Sequence, residues 1–294
     1  MYHEIYRPEE RDRLRGLTNP VYNTELNYFR GQMAWLRANN IKTLTIDELV
    51  SQKLSPNEQS ICLTFDDGWL GNYLYVYPIL REYGFKGTFF VATELISKSF
   101  YMTWDHLKEM AVNGMSIQSH TVNHRPLGGM DEKEIIFELS ESKRAIEKSL
   151  DTKVNHLSLP HGSKNVRIWS LAKEVGYKSI CTSNVGFQTW ESNGPWLKRI
   201  SIGDRISEKK FKLIIQRKNR AIWGMRITKS LKNILRGTIG VNTYRKLYQW
   251  IYGIDDKKYF NVALTLAIQD LKTLWEWYRM AFEREIEDEE RSSP

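Results

Sequence analysis

Cysteine is scarce in this chain, with only Cys62 and Cys181 among 294 residues. Both sit in strand-like apolar runs. They read as buried free thiols of a reduced compartment, which excludes a disulfide-stapled scaffold. Long apolar stretches are missing as well. No run of about 18 apolar residues occurs, so no membrane-spanning helix is expected. The opening "MYHEIYRPEERDR" is charged within five residues and has no apolar h-region, so it does not read as a signal peptide. The expected location is the cytoplasm, and export would require a leader segment that is not part of this sequence. Internal repeats and low-complexity tracts are absent too. Acidic residues are short in one region. Between residues 205 and 260, fifteen Lys or Arg stand against three acids (Glu208, Asp255, Asp256), an excess of twelve against +8 for the whole chain. The basicity therefore belongs to one segment, and the rest of the chain is mildly acidic.

What is present suffices for a sizeable core, since 41% of residues are hydrophobic and 12% aromatic. From about residue 24 to 203, strand-like and helix-like runs alternate. "IKTLT", "SICLTF", "KGTFFVAT", "MSIQSH", "VNHLSLP", "YKSICTSN" and "WLKRISI" read as strands. Helices are expected over 24–40, 72–83, 103–114, 132–150 and 166–175, with capping boxes at Thr45/Glu48 and Asp131/Glu134. This alternation predicts βαβ units and a mainly parallel sheet or barrel. Chemistry in such folds gathers at the C-terminal ends of strands. Asp66 and Asp67 close one strand, His120 another, and Pro160–His161–Gly162 a third.

Adjacent carboxylates repel when both are ionised, so Asp66 and Asp67 need a compensating cation, a proton or open water. His120 and His124 lie four apart, a spacing that puts both imidazoles on one side of a helical or turn-like segment. Alone, such a pair is more often two surface or core histidines. Beside a strand-ending Asp-Asp it becomes a candidate ligand set, because two imidazoles and one carboxylate leave open positions for water and substrate. The second carboxylate would then take a proton from the attacking water.

"TFDDG", "HTVNH" and "LPHG" resemble, in order and spacing, the first three motifs of the polysaccharide deacetylases of the NodB-homology type (carbohydrate esterase family 4), over about residues 55–203. The resemblance implies a deformed (β/α) barrel and metal-dependent removal of N-acetyl groups from amino sugars in glycans. It matches Asp66 to the general base, and Asp67, His120 and His124 to the metal triad. One divalent ion is implied, with Zn expected and Co, Ni or Fe compatible with the donor set. The oxyanion would be held by the ion and by the backbone N–H of His161. Pro160 and Gly162 of the same motif would line the substrate.

Two departures stand out. The third motif is usually preceded by an arginine that orients the base, yet Leu157, Ser158 and Leu159 precede Pro160. The late histidine that protonates the leaving amine is also missing, since no histidine follows His161. "MYHEIY" resembles the Tyr-His segment of the circularly permuted branch typified by the poly-β-1,6-N-acetylglucosamine deacetylases, where an N-terminal histidine replaces the late one. The segment "NTELNYFRGQMAWLRANNIKTLTIDEL" resembles that branch too. The resemblance therefore points to His3 as general acid, and Arg199 in "LKRISI" is the candidate for the missing arginine.

The bland readings are a solvated turn for Asp66–Asp67, a mobile terminus for His3 and a pocket wall for His161. His106 and His156 are read as decorating a helix and a strand. Trp69, Trp190 and Trp196 are read either as sugar-stacking or as core. The basic stretch 209–237 has three readings: an ordinary surface, a helix drawn to anionic lipid, or a groove for an anionic glycan. Nucleic acid is not expected, because no recognition motif accompanies the charge. Residues 264–282 form an amphipathic stripe that could serve as a dimer contact. The expected organisation is a deacetylase domain over 1–205 and a basic helical extension over 206–294. The expected function is de-N-acetylation of an amino-sugar glycan or its precursor, peripheral to a membrane. The alternatives are a barrel that only binds glycan and a deformylase of an acylated amino sugar.

Overall fold

The computed structural model describes residues 1–239 apart from 15, 16, 20, 52–59, 163–165 and 189–193. The amphipathic stripe at 264–282 and Trp190 lie outside the described residues. In chain order the elements are β1 (Ile5–Tyr6), β2 (Thr24–Glu25), α1 (Leu26–Ala38), β3 (Lys42–Leu44), α2 (Ile46–Ser51), β4 (Ser60–Cys62) and β5 (Thr64–Phe65). These are followed by α3 (Tyr77–Tyr83), β6 (Thr88–Val91), α4 (Trp104–Val112), β7 (Ser116–Ser119), α5 (Glu132–Leu150) and β8 (His156–Ser158). The rest are α6 (Val166–Glu174), β9 (Ser179–Cys181), β10 (Trp196–Leu197), α7 (Glu208–Ile215) and α8 (Arg220–Ile239).

Six parallel strands pair in the order β10-β9-β8-β7-β6-β5. The first two residues then bridge the ends of this curled sheet. Tyr2 pairs in parallel with Phe65, its N–H donating to the Thr64 carbonyl (2.8 Å) and its carbonyl accepting from the Asp66 N–H (3.0 Å). On the other side, the Met1 nitrogen donates to the Ile200 carbonyl and the Ile202 N–H donates to the Met1 carbonyl, each at 2.9 Å. The curled sheet with its packed helices is the mainly parallel architecture that the alternation predicts, and the deformed (β/α) barrel that the family resemblance implies.

Local sequence explains most elements. Phe29, Met33 and Leu36 form the buried stripe of α1, and Ile135, Leu139, Ile146 and Leu150 that of α5. Asp131 caps α5 by accepting from the Glu134 N–H (2.8 Å), while Glu134 Oε2 accepts from the Asp131 N–H (3.0 Å). The expected helix over 72–83 opens instead with a π-helical turn at Asn72–Val76. Pro78 has no N–H to donate to the preceding turn, so regular α geometry begins only at Tyr77. In α7 and α8, Phe211, Ile214, Ile215, Ala221 and Ile222 join the same core as the barrel, whereas Trp223 and Leu231 are exposed. No described helix is long and apolar enough to cross a membrane. Cys181 is buried and Cys62 half-buried, both as free thiols that burial pushes up to about 12.

Both histidines read as decoration prove structural. His106 completes the N-cap of α4, accepting from the Thr103 N–H while its own N–H donates to Thr103 Oγ1. His156 is buried at the start of β8, with Nδ1 against Ser179 Oγ (2.8 Å) and Nε2 against Asp47 Oδ1 (3.1 Å). Ser116 also donates to Asp47 Oδ2 (2.6 Å). This network ties α2 to the N-terminal ends of β7, β8 and β9, opposite the end where the motif residues gather.

Burial works to raise the Asp47 carboxyl pKa, but hydrogen bonds from His156 and Ser116 outweigh it and hold it below its ordinary value. A carboxyl lowered by folding stabilises the fold above its unfolded pKa, and that contribution is lost as pH falls through the folded value. Asp47→Asn should therefore lower the thermal midpoint at neutral pH, costing about 1–3 kcal/mol for the partners left unmatched. The gap between wild type and variant should close as pH drops below about 4. Thermal melts across pH 3–7 check this; a gap that stays constant over the range would contradict it.

Candidate active site

The C-terminal end of β5 carries two carboxylates into different surroundings. Strand alternation would send consecutive side chains to opposite faces. Here Asp67 takes φ +77° and Gly68 φ +88°, and this left-handed pair turns the chain sharply. A non-glycine residue at such φ is strained and persists only where its surroundings hold it. Thr121 (φ +68°) and His124 (φ +54°) share that strain, so both the Asp-Asp and the His-His segments carry unfavourable backbone.

Asp66 is buried and meets Arg199 in a two-point pair: Nη1 donates to Oδ1 (2.7 Å) and Nη2 to Oδ2 (2.8 Å). Ser158 Oγ donates to Asp66 Oδ2 (3.0 Å) and accepts from Arg199 Nη2 (2.8 Å). Arg199 Nε is spent on the Thr182 carbonyl (3.1 Å). Burial would raise the Asp66 pKa, yet the guanidinium charge, the nearby His120 and the Arg199 hydrogen bonds hold it down at about 2. Asp66 is therefore held as the anion at neutral pH. Arg199 thus places beside Asp66 a guanidinium that the residues just before Pro160 do not supply.

Asp67 faces the histidines. Its Oδ1 lies 3.3 Å from His120 Nε2 and 3.1 Å from His124 Nε2, while Oδ2 accepts from Trp69 Nε1 (3.0 Å). Burial opposes ionisation of Asp67, but the two histidines outweigh it and hold the carboxyl well below its ordinary value. One ligand atom from each of Asp67, His120 and His124 falls within a 4.8 Å cluster. His120 Nδ1 lies 2.7 Å from the Ser158 carbonyl, which fixes that nitrogen as the donor and leaves Nε2 with its lone pair free. With Trp69 on Oδ2, the carboxylate presents Oδ1 to the same point. Two imidazole nitrogens and one carboxylate oxygen facing one point, with Asp67 and His120 oriented from behind, fit a divalent ion.

The 121–124 turn that carries His124 is pinned from α5. Buried Glu138 accepts from the Val122 N–H (2.8 Å), the Asn123 N–H (2.9 Å) and Asn123 Nδ2 (2.8 Å). Glu138, Ser158 and Trp69 are supports that sequence reading did not assign. Glu138 carries a signal in retrospect, an acid on the buried face of α5 beside Leu139. Trp69 is buried and stacked on Tyr101 (4.5 Å between ring centres), so it orients Asp67 and does not offer a face to a sugar. Trp196 is half-buried near Trp169.

Pro160–Gly162 forms a single 3-10 turn at the end of β8; the His161 side chain lies outside the described residues. Gly162 has φ +65°, and a Cβ there would collide with Ser183. That close packing fixes the backbone of the motif. His3, at the opposite end of the chain, follows directly on Tyr2. Burial lowers its pKa, and the carboxylates of Asp67 and Asp66 are the largest opposing influences. Its ring stacks on Tyr22, 4.7 Å between centres with planes 23° apart. The structure thus brings Asp66, Asp67, His120, His124, His3 and Arg199 to one end of the barrel.

The polysaccharide deacetylase family profile matches residues 53–180. The Bacillus subtilis (strain 168) protein YxkH, named for the same family, is 31% identical over 191 residues, covering 64% of this chain and 68% of its own. The Staphylococcus aureus poly-β-1,6-N-acetyl-D-glucosamine N-deacetylase is 26% identical over 203 residues, covering 64% of this chain and 70% of its own. The structure of the Streptococcus pyogenes deacetylase PplD in complex with acetate superposes with a TM-score of 0.65 at 29% identity, over 74% of this chain and 95% of that one. This chain belongs to the polysaccharide deacetylase family, hydrolases that act on carbon–nitrogen amide bonds.

Proposed function

We propose that this protein removes acetyl groups from an N-acetylated amino-sugar glycan or glycan precursor, using one divalent ion, Zn first among the candidates, held by Asp67, His120 and His124. The observation that carries the reading is the pairing of two environments: a three-donor cluster within 4.8 Å and, one residue away, a buried carboxylate kept ionised by Arg199. A bound ion would acidify water and polarise the acetyl carbonyl. Asp66 accepts the proton of the attacking water. Its low pKa keeps it available as an acceptor but gives it little driving force, which is why acidified water matters here. The backbone N–H of His161 is assigned to the oxyanion, with Pro160 and Gly162 shaping the acyl pocket. His3 donates a proton to the departing nitrogen as the amide C–N bond breaks. Acetate and a free amine are the products.

The similarity to a poly-β-1,6-N-acetyl-D-glucosamine N-deacetylase and to a deacetylase solved with acetate supports an exopolysaccharide or cell-surface glycan as substrate. Membrane contact through residues 209–237 would rest on Trp223, Leu231 and basic side chains of α8, because Phe211, Ile214, Ile215, Ala221 and Ile222 of that stretch face the core. The rival reading, a barrel that only binds glycan, drew its support from the missing arginine and the missing late histidine. Arg199 beside Asp66, and His3 under the influence of both carboxylates, remove most of that support.

The test is release of acetate from N-acetylglucosamine oligomers, and of formate from N-formyl counterparts, by protein loaded with Zn, Co or Ni. Acetate release abolished by chelation and restored by metal is expected, with Asp66→Asn and His3→Ala each losing on the order of 10²–10⁴-fold in kcat. Formate release alone would make the protein a deformylase. Release of neither acid with any ion would sink the hydrolytic reading.

Arg199→Ala should be more damaging than loss of a surface charge. It strands a buried anion, at about 3–5 kcal/mol of stability, and removes the group that orients the base. Arg199→Lys should recover part of the stability and little of the activity, because an ammonium cannot reproduce the two-point fork. Denaturant melts and kcat on the same samples check this. Full activity in the Lys variant would show that charge alone suffices.

A further inference from the structure

A histidine that transfers a proton is ordinarily held by a hydrogen bond to its second ring nitrogen, which fixes both tautomer and orientation. His3 has no such support. Its Nδ1 is buried without a hydrogen-bond partner among the described residues. What it has is a ring face against Tyr22. Taking His3 as the general acid of the proposed deacetylation, we infer that Tyr22 is the positioning residue for it, holding the imidazole by stacking where a hydrogen bond to Nδ1 would otherwise act.

The support beneath Tyr22 is fixed on several sides, as this role requires. The Val21 N–H donates to Asn19 Oδ1 (3.1 Å) and the Tyr22 N–H to the Asn19 carbonyl (3.0 Å), making a tight turn. Asn23 Nδ2 donates to Thr18 Oγ1 (2.6 Å), and the Asn23 carbonyl accepts from the Asp204 N–H (2.9 Å). The Thr24 N–H donates to the Glu4 carbonyl (3.0 Å), so the segment leaving Tyr22 is tied to the residue after His3. Gly203 packs so closely on the Val21 carbonyl that a Cβ there would collide with it. The two stacked rings therefore stand on backbone segments that are bonded to each other. A stack of this kind restrains tilt and translation of the imidazole, and a displacement of about 1 Å at a reacting group can cost on the order of 100-fold in rate.

The experiment is a double-mutant cycle on the metal-loaded enzyme with N-acetylglucosamine oligomers, using His3→Ala, Tyr22→Ala, Tyr22→Leu and Tyr22→Phe. Tyr22→Ala and Tyr22→Leu should each lower kcat by on the order of 10–100-fold with KM little changed, while Tyr22→Phe, which keeps the ring face, should retain most of kcat. The Leu variant preserves bulk should the Ala variant fail to fold, and metal content with thermal midpoint identifies the folded samples. In the His3→Ala background, a second change at Tyr22 should cost nothing further, since the residue acts through His3. Full additivity, an effect confined to KM, or wild-type kcat in the Leu variant would overturn the inference while leaving His3 as acid. Wild-type kcat in His3→Ala itself would remove the general-acid assignment and this inference together.

Discussion

Asp66 and Arg199 are both buried and meet through two short hydrogen bonds, although 133 residues separate them in the chain. Taking either charge out of water alone costs roughly several kcal/mol, so each is tolerated only because the other is there. That mutual dependence shapes the surrounding architecture. Arg199 lies just past β10, Asp66 just past β5, and Ser158 at the end of β8 joins the pair through its hydroxyl. Because β5 and β10 are the two ends of the strand order, the ion pair spans the closure of the curled sheet. It also sets the charge state of the site, since an ionised Asp66 is available to accept a proton but cannot donate one.

The neighbouring carboxylate is given a different environment by a different device. Asp67 has no arginine and is compensated by His120 and His124, with Trp69 occupying its far oxygen. Two adjacent acids can hold separate roles only if their surroundings differ, and here the difference begins with the backbone. The left-handed Asp67 and Gly68 break the strand alternation, which lets both side chains reach the same end of the barrel while facing separate partners. Strain at Thr121 and His124 does the equivalent work on the imidazole side, where Glu138 holds the turn. Three polar supports, Trp69 Nε1, the Ser158 carbonyl and the Glu138 carboxylate, thus stand behind the donor segments.

Much of this was legible in the sequence, and the parts that were not share a physical cause. The parallel strands, the capped helices and the three motif segments follow from periodicity and short-range chemistry, and the strand-ending acids and histidines mark the functional end. The bonds that organise them do not follow. Ser158 sits in "LSLP" as an unremarkable small residue, and its part depends on Arg199 arriving from 41 positions away. Glu138 looks like one more acid in a charged helix until its burial is known. His156 and Asp47 are 109 positions apart, so nothing local announces their contact. The π-helical turn before Tyr77 was signalled by Pro78, whose missing N–H conflicts with a regular helix over 72–83. Local signals specify elements and candidate donors, whereas long-range pairing decides which polar groups orient them.

The position of His3 shows the same separation between chain order and geometry. A proton donor for the leaving nitrogen must stand across the substrate from the base, and its place in the sequence is immaterial to that requirement. Tyr2 is bonded between the Thr64 carbonyl and the Asp66 N–H, in parallel with Phe65. In a parallel pair, residues that follow matched positions advance to the same end of the sheet. His3 therefore leaves the barrel at the level of Asp66, whichever terminus supplies the strand. On the proposed mechanism a late histidine becomes dispensable once an early strand fills that place, provided that its ring is held. The backbone bonds of Tyr2 set the depth of His3, and among the described residues its angle is set by the stack on Tyr22.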